Sequence, residues 1–92
     1  MVKLNKEYYQ QIKDQTIINY QNSDQVVARA TGVDIHFIND ELGKLSRAIE
    51  LWCMGSNKSN NSLMDLGLDI FRNKCRILGI DELDFPNFIM EE

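Results

Sequence analysis

Ninety-two residues allow one domain with a thin core, so further burial against a second copy or a partner is expected. Fourteen acidic against ten basic side chains give a net charge of −4, and no run of Lys or Arg stands out. That balance argues against broad binding to nucleic-acid phosphates and favours a protein, a small molecule or a cation as partner.

Lys3 and Lys6 are followed by no apolar run, so neither a signal peptide nor a membrane span is expected. The default location is then cytoplasmic, where Cys53 and Cys75 are expected as reduced thiols buried in apolar patterns. Asn5 can cap a first helix running to about Ile18, with Tyr8, Ile12 and Gln15/Thr16 forming a weak stripe. Residues 19–23 read as a polar link. Ser23 or Asp24 can cap a short helix from Gln25 to Thr31, which Gly32 ends.

The clearest element follows a cap at Asp34. Ile35, Ile38, Leu42, Leu45, Ile49 and Trp52 recur at spacings of three, four, three, four and three, a heptad-type stripe. The seven residues Gly55 to Asn61 are read as a flexible hairpin loop. Ser62 and Asp65 make a capping-box-like start to a second long helix. Its stripe is Leu63, Leu66 and Ile70, with Met64, Leu68, Phe71, Cys75 and Leu78 beside it, and Gly79 closes it. Cys53 near the turn and Cys75 far from it are not expected to face each other. Residues 79–92, with the only proline at Pro86, form a tail apolar enough to dock on the bundle or on a neighbour.

No segment alternates with period two over a useful length, so no sheet is expected. The fold expectation is all-α: a small bundle built on an antiparallel helical hairpin, 34–53 and 62–78, completed as a homo-oligomer. Trp52, Phe37, Phe85 and Phe88 are the candidate interface residues.

Two stretches echo each other on the hairpin: Asp40-Glu41-Leu42-Gly43 and Met64-Asp65-Leu66-Gly67. A glycine inside a helix costs about 1 kcal/mol relative to alanine, so Gly43 and Gly67 suggest close contact between the backbones. Lys44 follows the first pair of acids, and Asp69 follows Asp65 one turn later. An antiparallel arrangement that joined Glu41 to Asp65 would suit a hard cation such as Mg2+, which needs several carboxylate or water oxygens. The alternative is a solvated rim of charge at the helix interface.

The acidic pattern resembles that of the MazG-like all-α nucleotide pyrophosphohydrolases, over roughly Ile35 to Leu83. Those proteins carry a Glu-Glu-x-x-Glu motif on one helix and a Glu-x-x-Asp motif on the next. Asp40 and Glu41 match the first two acids and Asp65 the glutamate of the second motif. Lys44 stands where the third acid belongs, and Leu68 where the aspartate belongs. The resemblance implies Mg2+ held by Glu41 and Asp65, with Asp40 or Asp69 supplying an oxygen. In a degenerate member, Lys44 would meet the phosphate of a bound nucleotide.

Gln25 to Ile38 also has helix-turn-helix spacing, with Ala28, Gly32, Val33 and Ile38 where a small residue, a turn glycine and two core residues belong. The would-be recognition helix carries Asp34, Asp40 and Glu41, which phosphates repel, so nucleic acid is a disfavoured partner. His36 has no partner at a catalytic spacing, and Gly55-Ser56-Asn57-Lys58-Ser59 lacks the ending of a phosphate-cradling loop. The functional expectation is a non-catalytic binding or regulatory protein that acts through a protein partner or a bound nucleotide. The alternatives are a Mg-dependent pyrophosphohydrolase and a helix-turn-helix regulator.

Overall fold

The computed structural model describes residues 1–23 and 35–92. The predicted short helix, its capping at Asp24, the cap at Asp34 and most of the helix-turn-helix spacing lie outside them. Among the described residues the order is β1 (Val2–Leu4), α1 (Lys6–Asn22), α2 (Ile35–Asn57), α3 (Asn61–Leu78), a 3-10 helix (Glu82–Phe88) and β2 (Ile89–Glu91). The fold is all-α, centred on the antiparallel pair α2 and α3. No helix among the described residues is long and apolar enough to cross a membrane.

α1 starts as expected, with the Asn5 side chain accepting from the Tyr8 amide at 3.1 Å. It runs on to Asn22, through the stretch read as a polar link. Gln15 Nε2 donates to Asn19 Oδ1 at 2.8 Å, so these polar residues brace one helical face through bonds between successive turns. Ser23 closes the helix by donating from its amide and its hydroxyl to the Tyr20 carbonyl.

In α2 the core line is Ile38, Leu42, Leu45 and Ile49, while Ile35 and Trp52 at its ends are half-buried. The loop after it is shorter than expected, because Gly55, Ser56 and Asn57 remain helical. Only residues 58–60 turn the chain, with Ser59 at φ 54°. The cap of α3 is Asn60, whose side chain accepts from the Leu63 amide at 3.1 Å; Ser62, the expected cap, lies inside the helix. Gly55 was read as a breaker, but it serves packing: a Cβ there would stand 2.7 Å from the Met64 nitrogen. Gly79 ends α3 at φ 70°, in the left-handed conformation that glycine adopts without penalty.

The line that α3 buries is Gly67, Phe71 and Cys75, not the expected Leu63, Leu66 and Ile70. Leu66 is 51% exposed. Gly67 explains the shift. A Cβ on it would meet the Trp52 nitrogen at 2.7 Å and the Ala48 carbonyl oxygen at 2.8 Å, so α3 rests here directly on the α2 backbone. Gly43, its expected counterpart, is exposed, and a Cβ there would meet nothing within 4 Å among the described residues.

The tail packs on its own chain. Edge-to-face rings run from Trp52 to Phe85 (5.0 Å between centroids), Phe85 to Phe71 (4.9 Å), Phe71 to Phe88 (5.7 Å) and Phe88 to Tyr8 (4.8 Å). This joins α2, the 3-10 helix, α3 and α1. Phe88 is fully buried, so it is a core residue and not an interface residue; Phe85 and Trp52 are half-buried in the same cluster. Beyond the 3-10 helix, β2 pairs antiparallel with β1, Lys3 opposite Met90, a small ribbon where no sheet was expected. The Asn57 amide secures it to the end of α2, accepting from the Val2 amide and donating to the Val2 carbonyl, both at 2.7 Å.

The two hairpin glycines make opposite predictions. Gly43→Ala should raise stability by up to about 1 kcal/mol through helix propensity alone. Gly67→Ala should lower it by about 1–3 kcal/mol, because its clash is with α2 backbone that cannot yield. Urea unfolding of the two variants measures both; equal effects would disprove the backbone contact at Gly67.

Candidate functional site

The acidic residues singled out from the sequence do not converge. Gly67 faces α2, and Asp65 and Asp69 lie two residues to either side of it. At about 100° per residue each is turned some 160° from the contact, and both are exposed. The hairpin register separates them further. Glu41 meets Lys74, and nine residues of helix, about 14 Å, lie between Lys74 and Asp65. The expected juxtaposition of Glu41 with Asp65 is therefore not formed. Among the described residues no group of three or more His, Cys, Asp and Glu side chains is placed to hold a metal ion.

Glu41 is instead part of an ion-pair cluster. It is 4% exposed on α2, and its Oε2 lies 2.7 Å from Lys74 Nζ on α3. Lys74 is itself largely covered. Lys44 Nζ stands 3.4 Å from Glu41 Oε1 and 3.1 Å from Asp40 Oδ2. Lys74 reaches Glu41 because it lies seven residues after Gly67, on the same side of α3. The Lys74 ammonium holds the Glu41 carboxyl below its ordinary range against the opposing effect of burial, and Lys44 adds to the lowering. Asp40 first, then Glu41, push the Lys44 ammonium up. Two ammonium groups beside the one carboxylate buried among the described residues make a poor place for Mg2+, and the residues present do not fit that ion. Lys44, the candidate phosphate contact, is exposed but engaged by two carboxylates.

The partner of Glu41 was missed in the sequence. Lys74 falls among apolar residues at a core-facing step of α3, Gly67-Phe71-Lys74-Leu78, and a lysine at that step signals a buried acid on the facing helix.

Other chemistries find little support in the side chains. Both cysteines are free and buried, as expected. Burial, with Glu82, Asp84 and Asp81 nearby, pushes the Cys75 thiol up to about 12, and burial also raises Cys53. Neither is poised as a thiolate nucleophile at neutral pH. A cleft of about 450 Å³ lies between α1 and the end of α3, lined by Ile12, Tyr20, Ile38, Leu78, Asp81 and Asp84 among others. Among the described residues its lining holds two carboxylates and no lysine or arginine, the wrong charge for a phosphate.

α3 also carries a partly exposed apolar line, with Leu66 and Ile77 on the surface, Leu63 half-buried and Ile70 half-buried against the core. Leu63, Leu66, Ile70 and Ile77 lie on the flank of α3 opposite Phe71 and Cys75, beyond the contact with α2. Leu66 is 51% and Ile77 44% exposed, and Phe37 on α2 is 40% exposed. Of the candidate interface residues, Phe37 is the one that is mainly on the surface.

No family model matches the chain, and neither the curated proteins nor the solved structures provide a match to it.

The ion pair yields a paired prediction. Lys74→Ala leaves the buried Glu41 carboxylate with only the half-exposed Lys44 beside it and should cost about 1–3 kcal/mol. Replacing both residues, Glu41→Met with Lys74→Met, should recover most of that loss, because no buried charge then remains. The pH dependence follows from the sign of the shift. With its folded pKa depressed, Glu41 contributes stability above the ordinary carboxyl range and loses it as pH falls through the depressed value. Unfolding followed from neutral to acid pH should show a smaller acid loss in the double variant than in the native chain. Equal losses would mean that Glu41 does not carry this part of the acid sensitivity.

Proposed function

We propose that this chain is a non-catalytic interaction module, and that it binds a protein through the outer flank of the α2–α3 hairpin. The observation that carries the reading is the apolar line on the outer flank of α3, where Leu66 and Ile77 are exposed and Leu63 and Ile70 are half-buried. Apolar side chains aligned along one helix flank and left partly exposed offer a surface that a protein partner can cover.

The placement of the polar groups supports the same reading. Glu41, the most deeply buried carboxylate, is committed to Lys74. Asp65 and Asp69 face solvent, Lys44 is neutralised by its neighbours, and the 450 Å³ cleft carries acids and, among the described residues, no cation. A nucleotide hydrolase needs convergent carboxylates and a cationic or metal-bearing phosphate site. Charged side chains such as Asp40, Lys44, Asp69 and Arg76 border the apolar line as a polar rim, an arrangement common to protein interfaces.

Thermal melting against a panel of nucleoside di- and triphosphates, with and without Mg2+, tests the reading. A ligand that binds only the folded state raises the melting point by mass action, with a stabilisation of about 2.7 kcal/mol at one hundred times its Kd. The expected result is no shift at millimolar nucleotide. A Mg2+-dependent rise would overturn the reading in favour of a pyrophosphohydrolase-type site. A rise without metal would overturn it in favour of nucleotide binding.

A further inference from the structure

The apolar line on α3, exposed at Leu66 and Ile77 and half-buried at Leu63 and Ile70, has a period. Leu63, Leu66, Ile70, Asn73 and Ile77 recur at spacings of three, four, three and four, the seam of a two-helix packing with one polar residue in it. An asparagine in such a seam disfavours registers that bury it against apolar groups. Across a two-fold axis, two asparagine amides can each donate to and accept from the other.

The charges beside the seam are self-complementary about the same level. Asp69 and Arg76 occupy the same edge of the seam, one heptad apart, on either side of Asn73. In an antiparallel pair crossing at Asn73, Asp69 of each copy falls beside Arg76 of the other. The neighbouring helix repeats the arrangement. Glu41 lies opposite Lys74, so the residue of α2 level with Asn73 is Leu42. Asp40 and Lys44 stand two residues to either side of it, both exposed. A rotation that places Asp69 on Arg76 therefore also places Asp40 of each copy beside Lys44 of the other. A parallel pairing has no such match, since it sets each charge beside its own kind.

We propose that a second copy of this chain covers the C-terminal part of the flank, with α3 packed antiparallel on α3 about a two-fold axis at Asn73, and the two hairpins stacked face to face as a four-helix bundle in which α2 also faces α2. This rests on the interaction-module reading and names its partner. The interface is isologous, so one surface supplies both halves.

Sedimentation of the full chain from low micromolar to near-millimolar concentration tests the proposal, with circular dichroism to confirm that each variant is folded. The expected result is a reversible dimer. Asp69→Arg and Arg76→Asp should each weaken it by roughly tenfold or more, because each sets like charges face to face. The double variant, Asp69→Arg with Arg76→Asp, should regain association by restoring both pairs in reverse. Asn73→Cys should cross-link the dimer on mild oxidation, whereas Ser62→Cys, far from the axis, should not. A chain that stays monomeric to near-millimolar concentration overturns the proposal. So does a dimer indifferent to the charge reversals, or one that cross-links through Ser62→Cys but not through Asn73→Cys. A monomer that also gives no nucleotide shift leaves the interaction-module reading standing with a different partner. A nucleotide shift removes that reading whatever the oligomeric state.

Discussion

The contact of Gly67 with the backbone of α2 is the constraint on which the arrangement of this chain depends. With no side chain between them, the two helices meet at Ala48 and Trp52, and that single point sets both the rotation of α3 and the register of the hairpin. Rotation decides that Phe71 and Cys75 turn inward and that Asp65 and Asp69 turn outward. Register decides that Glu41 meets Lys74. A larger residue at 67 would push α3 away from α2 and disturb the level of every pair along the hairpin.

Different forces hold the two sides of this contact. On one side five aromatic rings pack edge to face, each pair contributing about 0.5–1.5 kcal/mol beyond the area it buries. Because the rings come from α1, α2, α3 and the 3-10 helix, they tie together segments far apart in the chain. The Glu41–Lys74 pair does a different job. A buried ion pair is a weak source of net stability, since desolvation offsets most of its attraction. Its consequence is selectivity: sliding α3 by one turn would strand both charges in an apolar setting. Glycine permits close approach, and the ion pair restricts the register at which it happens.

The helices of the hairpin were legible because apolar residues recur with the period of a helix, and the Asn5 cap because its chemistry is local. The hairpin turn was not. Gly55, Ser56 and Asn57 have the composition of a loop but stay helical, and the bare Gly55 lets Met64 approach. The terminal ribbon was hidden because each strand has three residues, too few to show alternation, and its halves lie at opposite ends of the sequence. The acidic echo misled in an instructive way. Residue types and spacing along each helix were correct, but a site depends on rotation about the helix axis. Asp65 and Asp69 share a face with each other and not with Glu41. The missing information was which residue of α3 touches α2, and nothing local distinguishes Gly67 from Gly43.

The shortness of the chain bears on what the outer flank is for. In a domain of this size most of the apolar side chains are needed inside, and the core here takes Phe71, Phe88 and the α2 line. Leu66 and Ile77 stay well exposed on a helix whose opposite side is fully used. Random drift would scatter exposed apolar residues around α3. Leu66 and Ile77 fall instead on one flank, in a heptad-spaced line with the half-buried Leu63 and Ile70 that an asparagine interrupts at one position. The remaining surface of α3 is polar: Ser62, Asp65, Asp69, Arg72 and Arg76 lie on the face away from α2. Thus α3 presents two apolar flanks separated by its contact with α2. One flank packs against the rings of its own chain. The other has the same periodic order, with Ile70 half-buried against the core and Leu66 and Ile77 exposed, and periodic order along a helix is what a second helix requires.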